Sequence, residues 1–184
     1  MMDFLEAYYE RTITAKPSAD TLRAFEGILP VELLALWREE GWGIYMNGFL
    51  RLVNPADYKE FVEEYIEIAT PSIPFAVTAF GDVLLWLRDG YVELVSFRKG
   101  YREIVEAGMN LFLDDTLPDY NYALKELKSE QYTEAAAKLG VPDFDKCFGY
   151  FPLLSFGGVE SVDKLQIVDL QTHMELMAQA VEAL

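Results

Sequence analysis

Pro74-Phe75-Ala76-Val77-Thr78-Ala79-Phe80-Gly81-Asp82-Val83-Leu84-Leu85-Trp86-Leu87-Arg88-Asp89-Gly90-Tyr91-Val92-Glu93-Leu94-Val95-Ser96-Phe97 is the stretch on which the fold turns. Three apolar runs, Phe75 to Phe80, Val83 to Arg88 and Tyr91 to Phe97, are rich in β-branched and aromatic side chains. Such residues suit a pleated, buried surface. Gly81-Asp82 and Asp89-Gly90 between them carry turn chemistry. Connections this short join antiparallel neighbours, so the reading is a meander. After Lys99-Gly100, the segment Tyr101 to Glu106 supplies a further strand.

Working upstream, Trp42 to Met46 and Phe49 to Val53 flank Asn47-Gly48, a strong short-range hairpin signal. Helices surround these strands. Asp3 to Ala15 spaces Phe4, Ala7, Tyr8 and Arg11 like a helix, and Lys16-Pro17-Ser18 breaks it. Ser18 is placed to cap a second helix through Phe25. Leu29-Pro30 opens a third, with Leu33, Leu34 and Trp37 as its apolar stripe and Gly41 as its stop. Asn54-Pro55 begins a fourth over Ala56 to Ile68, with Tyr58, Phe61, Val62 and Tyr65 inward and Glu60, Glu63, Glu64 and Glu67 towards water.

Downstream of Met109 the pattern turns helical. Asp119 to Lys128 and Ser129 to Leu139 read as two helices, the second stopped by Gly140-Val141-Pro142. Phe148 to Phe156 is an apolar, aromatic run, Lys164 to Leu170 reads as a strand, and Gln171 to Leu184 as a final helix with Met174, Met177 and Val181 inward. The class is α+β: a mainly antiparallel sheet flanked by helices, with a helical C-terminal portion. Two parts are expected, 1–106 and 107–184. The link around Gly100 to Gly108 lacks the Pro, Ser and Gly richness of a flexible tether, so they are expected to pack as one unit.

The 184 residues are 52% hydrophobic and 14% aromatic, enough apolar surface to offset ordering entropy. No run approaches the roughly 20 apolar residues of a membrane-spanning helix. Met1 to Glu6 carries early acids and no basic region, so no signal peptide is expected. A single cysteine, Cys147, argues against a disulfide framework. These features point to the cytoplasm. The net charge of −16 repels nucleic acid and anionic lipid and attracts cationic partners.

Chemistry is sparse. The one histidine, His173, sits in the last helix, and no G-x-S-x-G nucleophile elbow accompanies it. Cys147 and His173 lack metal-ligand spacing, and Cys147 reads as a small buried hydrophobe. There is no G-x-G-x-x-G and no Walker lysine, and Gly157-Gly158 reads as a structural turn beside Glu160. Asp114-Asp115, Glu39-Glu40 and Glu63-Glu64 are the available carboxylate pairs, but neighbouring residues on a helix point apart, so they read as solvated faces or partner contacts. Trp37, Trp42 and Trp86 read as core. Tyr8, Tyr9, Tyr120, Tyr122 and Tyr150 are candidate exposed anchors. Neither a catalytic site nor a cofactor or metal is expected.

Two stretches carry a resemblance. Leu29 to Gly43, then Gly48-Phe49-Leu50-Arg51-Leu52-Val53-Asn54-Pro55 and Thr78-Ala79-Phe80-Gly81-Asp82 with Trp86, resemble the GAD-like domain. Cys147-Phe148-Gly149-Tyr150-Phe151-Pro152, Gly157-Gly158, Glu160 to Gln166 and His173 are similar to the C-terminal domain that commonly follows it. This pairing occurs in immunity proteins encoded beside DNase effectors of type VI secretion systems. The resemblance implies a protein that binds a toxin and blocks it, without catalytic or metal residues of its own.

The charge agrees with that implication, because a DNase presents a basic face to a polyanion. The expected partner is a cognate toxin with a basic nuclease domain. Direct nucleic-acid binding and membrane association are not expected. The candidate toxin-binding residues are Asp114, Asp115, Asp119, Glu160 and Asp163, which lie near loops or helix starts. A small-ligand or peptide-binding regulatory protein is the alternative, and a carboxylate-dependent hydrolase stands behind both.

Overall fold

The computed structural model describes residues 3–7, 10–67 and 71–181. A seven-stranded sheet forms the middle layer. Its strands are β1 (Thr12–Ala15), β2 (Trp42–Tyr45), β3 (Leu50–Leu52), β4 (Ser72–Thr78), β5 (Val83–Leu87), β6 (Val92–Ser96) and β7 (Tyr101–Glu106). They lie side by side in chain order, every pairing antiparallel. The helices are α1 (Asp3–Ala7), α2 (Ala19–Phe25), α3 (Val31–Glu39), α4 (Lys59–Tyr65), α5 (Met109–Leu111), α6 (Tyr120–Glu126), α7 (Tyr132–Leu139) and α8 (Leu170–Ala180). A single π-helical turn, Phe112–Thr116, continues α5. Strands β8 (Lys146–Tyr150) and β9 (Leu165–Asp169) form a separate antiparallel pair. The fold is α+β, with helix concentrated in the C-terminal part.

The side-chain period of two decides which residues meet. Along β5, Val83, Leu85 and Leu87 join a core with α4 and α8, through Phe61, Val62, Met174 and Met177. Leu84, between them, faces the opposite core, built with Trp37 and Leu33 of α3, Phe112, Leu124 of α6 and Tyr132 of α7. Helices cover both faces, so β4, β5 and β6 are almost wholly buried instead of alternating. Elements after residue 106 contribute to both cores: α6 and α7 on one face, α8 on the other.

Local chemistry explains most element ends. Ser18 Oγ accepts from the Thr21 amide and starts α2, and Asn54 Oδ1 accepts from Ala56 before Pro55. Asp169 caps α8 by accepting from Thr172. The Asn47-Gly48 hairpin is present, with Tyr45 opposite Leu50, and Met46, Asn47 and Gly48 all take positive φ. At Gly48 a side chain would also collide with Val141 and the Tyr132 hydroxyl.

One helical expectation is corrected. Thr12–Ala15 is an exposed edge strand rather than the end of the first helix. Its backbone lies so close to β2 that a Cβ on Gly43 would sit 2.2 Å from the Thr12 carbonyl oxygen. The β-branched run Thr12-Ile13-Thr14 fits that extended path. Tyr8 and Tyr9, the Ile68 end of the fourth helix and the Leu184 end of the last lie outside the described residues. Among the described residues no helix is long and apolar enough to cross a membrane.

Candidate functional site

Two buried arginines join the sheet to the C-terminal portion. Arg98, just past β6, is 5% exposed and Asp82, in the β4–β5 turn, is 0% exposed. Arg98 Nε donates to Asp82 Oδ1 and Oδ2 at 3.0 and 2.9 Å. Ser96 Oγ donates to Oδ1 at 2.7 Å and Thr78 Oγ1 to Oδ2 at 3.2 Å, so the carboxylate is fully surrounded by donors. Arg98 Nη2 then reaches across to the Lys128 carbonyl at 2.8 Å and Ser129 Oγ at 3.1 Å, between α6 and α7. Its guanidinium carbon lies 4.6 Å above the Phe80 ring. Burial alone would lower the Arg98 pKa, but Asp82 beside it more than offsets that and holds it up. Arg51 of β3 makes the second joint, donating to the Pro142 and Asp143 carbonyls at 3.1 and 3.2 Å. Both pairings cross from the sheet to the helical part.

The residues with latent chemistry are packed away. Cys147 is buried and its thiol is pushed up to about 12, mainly by burial, so it stays protonated at neutral pH. His173 is 2% exposed on α8 and lies against Gly149, where a Cβ would approach its ring to 2.6 Å. Burial lowers its pKa. Among the described residues, no group of three or more His, Cys, Asp or Glu side chains could hold a metal ion.

The depressed His173 pKa has a sign. The unfolded chain takes up this proton first as pH falls below about 6.5, so His173 lowers stability from there down through its folded pKa. His173→Leu is therefore expected to flatten the loss of stability on acidification. The difference between variant and wild type should grow by at most about 1.4 kcal/mol per pH unit in that window. Urea denaturation at stepped pH measures it, and parallel curves would show that His173 does not titrate with folding.

The five candidate acids fall into two places. Asp114 and Asp115 sit on the π turn, Asp114 half-buried and Asp115 exposed. Asp119 caps α6, its Oδ1 accepting from the Tyr122 amide at 3.0 Å. Glu160 and Asp163 lie on the connection between β8 and β9, and both are engaged by cations of the chain. Lys99 Nζ approaches Glu160 to 2.6 Å and Arg98 Nη1 to 3.8 Å. Lys138 of α7 pairs with Asp163 and depresses its pKa. The connection also exposes apolar side chains: Phe151 at 40%, Phe156 at 70% and Val159 at 61%. Gly158 fixes its path, since a Cβ there would sit 2.1 Å from the Pro152 carbonyl. Of the tyrosine anchors, Tyr122 is exposed, Tyr120 half-buried and Tyr150 buried. Trp37 and Trp42 are core as expected, and Trp86 packs partly buried against it.

Sequence reasoning missed the two arginine joints and placed Asp82 only in a turn. The signal available was a charged residue at the edge of an apolar run, Asp82 before Val83–Leu87 and Arg98 after Leu94 to Phe97, which reads equally well as a solvated strand end, and Arg51 alone inside Phe49 to Val53.

Residues 1–97 match the GAD-like domain, and residues 106–181 match the C-terminal domain of the T6SS immunity protein Tdi1. No curated protein sequence matches the chain. Among solved structures, the crystal structure of Atu4351 from Agrobacterium tumefaciens is similar, with a TM-score of 0.74 and 17% identity over 97% of this chain and 88% of that one. At that identity the likeness concerns the fold. By its two consecutive domains, the chain belongs to the GAD-like family, in the architecture that carries the Tdi1-type immunity domain of type VI secretion at its C-terminus.

Proposed function

We propose that this chain protects the cell that makes it by binding a cognate type VI secretion toxin, a DNase, and covering its active or DNA-binding face. The match of residues 106–181 to the Tdi1 immunity domain carries the reading. The net charge of −16 supports it, because it would steer the protein to the basic surface with which a nuclease holds DNA. Inhibition then needs occlusion and no chemistry. The site is the cytoplasm, where toxin and target DNA meet.

The toxin-facing surface in this proposal includes Asp114, Asp115 and Asp119, with Glu160 and Asp163. Exposed Phe151, Phe156 and Val159 share the β8–β9 connection with the last two and offer the apolar contact that charge alone does not give. The toxin that this protein captures from the producing cells, purified and assayed on plasmid with and without the protein, tests the function. The expected result is stoichiometric loss of cleavage, the protein alone leaving plasmid intact. Undiminished cleavage at excess protein would refute it.

Asp114→Asn with Asp115→Asn tests the surface. Association with the toxin is expected to slow several-fold at low salt and to depend less on ionic strength, with little change in melting temperature. Unchanged association kinetics would remove this pair from the interface.

A further inference from the structure

Three segments distant in sequence converge on a groove of about 200 Å³. Tyr58 and Phe61 come from the start of α4 and the turn before it, Phe144 from the loop preceding β8, and Met174 from α8. Val53 and Leu170 complete an apolar floor. The rim is different in kind. Asp57, Asp145 and Asp169 stand around it, all three exposed, and among the described residues no basic one lines the groove. Lys146 lies nearby, its Nζ 3.4 Å from Asp145 and 3.3 Å from Asp169. It balances one of the three carboxylates and leaves the mouth negative.

The volume is below the roughly 300–1,000 Å³ of clefts that enclose small ligands. The groove is the size of one or two side chains. Its chemistry excludes most of them. A carboxylate or phosphate meets three acids against one lysine. A wholly apolar group fills the floor but brings nothing for the rim. Lysine and arginine satisfy both, since their stems are apolar and their heads cationic. Arginine adds a planar fork matched to carboxylates.

We propose that this groove seats a lysine or arginine side chain of the toxin, with its stem on Tyr58, Phe61, Phe144 and Met174 and its head between Asp57 and Asp145. The proposal rests on the immunity reading for the identity of the partner. It adds a point of anchorage apart from the five acids above, at a place where both halves of the chain contribute. With the stem in the groove and the toxin surface closed over the rim, the pair is shielded from water by the complex, the condition under which ion pairs across an interface slow dissociation rather than merely speed encounter.

Asp57→Asn with Asp145→Asn is the test, because Asp169 is needed to cap α8. Dissociation of the toxin domain used to test the function is measured by surface plasmon resonance for wild type and variant, with melting temperature as the folding control. If wild type binds, the variant is expected to dissociate at least about tenfold faster at an unchanged melting temperature. An unchanged dissociation rate overturns the groove while leaving the immunity function standing. If wild type does not bind the toxin, the function fails, and a second probe decides the groove alone. Acetyl-Gly-Arg-Gly-amide is expected to shift the Met174 methyl resonance of the wild type and not of the variant. Acetyl-Gly-Glu-Gly-amide should shift neither. No shift with the arginine peptide overturns the proposal.

Discussion

Arg98→Met is expected to destabilise the protein by about 3–5 kcal/mol, because it leaves the Asp82 carboxylate buried without its countercharge. For a chain of this length that corresponds to a melting temperature lower by about 6–20 °C. Asp82 is 0% exposed, and its carboxylate keeps only the Ser96 and Thr78 hydroxyls once the guanidinium is gone. Methionine keeps an unbranched apolar stem but loses the guanidinium over Phe80 and its hydrogen bonds to the Lys128 carbonyl and Ser129 Oγ, so the cost adds these to the stranded charge. Asp82→Asn is expected to be damaging for the reciprocal reason. The double variant should cost less than the sum of the two, since neither charge is then stranded. Urea denaturation of the four proteins gives the cycle. A cost below about 1 kcal/mol for Arg98→Met would mean that water or a rearranged side chain reaches Asp82.

The cause of that sensitivity was hidden in the sequence, while much of the sheet was not. Turn chemistry is local: Asn47-Gly48, Gly81-Asp82 and Asp89-Gly90 each sit between apolar runs, and β2 to β6 follow from them. Caps are local too, and Ser18, Asn54 and the Asp119 start of α6 could be read from spacing. The edge strand Thr12–Ala15 could not. The β-branched run Thr12-Ile13-Thr14 suits it, but its place depends on the bare backbone of Gly43, far along the chain, while Phe4, Ala7, Tyr8 and Arg11 keep helical spacing up to its start. Burial of charge is non-local in the same way. Asp82 finds Arg98 sixteen positions on and Arg51 finds Pro142 ninety-one positions on. The engagement of Glu160 by Lys99 and of Asp163 by Lys138 is equally invisible until the β8–β9 connection is laid against the β6–β7 turn and α7. The groove depends on three segments meeting, so its residues carried no shared signal.

Phe80→Ala is the second change of large expected effect, about 3–5 kcal/mol. Phe80 is 0% exposed at the meeting of the two halves. Its ring stacks on Tyr150 at 6.2 Å, tilts against Phe148 at 5.6 Å and lies beneath the Arg98 guanidinium. The neighbouring Ala79 carbonyl accepts the Phe148 amide at 2.7 Å, so backbone as well as side chain crosses here. Truncation removes the ring that both halves share, and close packing leaves little that can collapse into the space. The form of the loss is as informative as its size. If 1–106 and 107–184 fold as one cooperative unit, the single thermal transition should move down whole, followed alike by circular dichroism and tryptophan fluorescence. All three tryptophans, Trp37, Trp42 and Trp86, lie in the first part, whereas dichroism also follows α6, α7 and α8 of the second. If the parts fold separately, the truncation uncouples them, and the two probes should report different midpoints. Coincident midpoints at a lowered temperature would tie the folding of the second half to the sheet. Split midpoints would make the junction a docking contact between two independent domains.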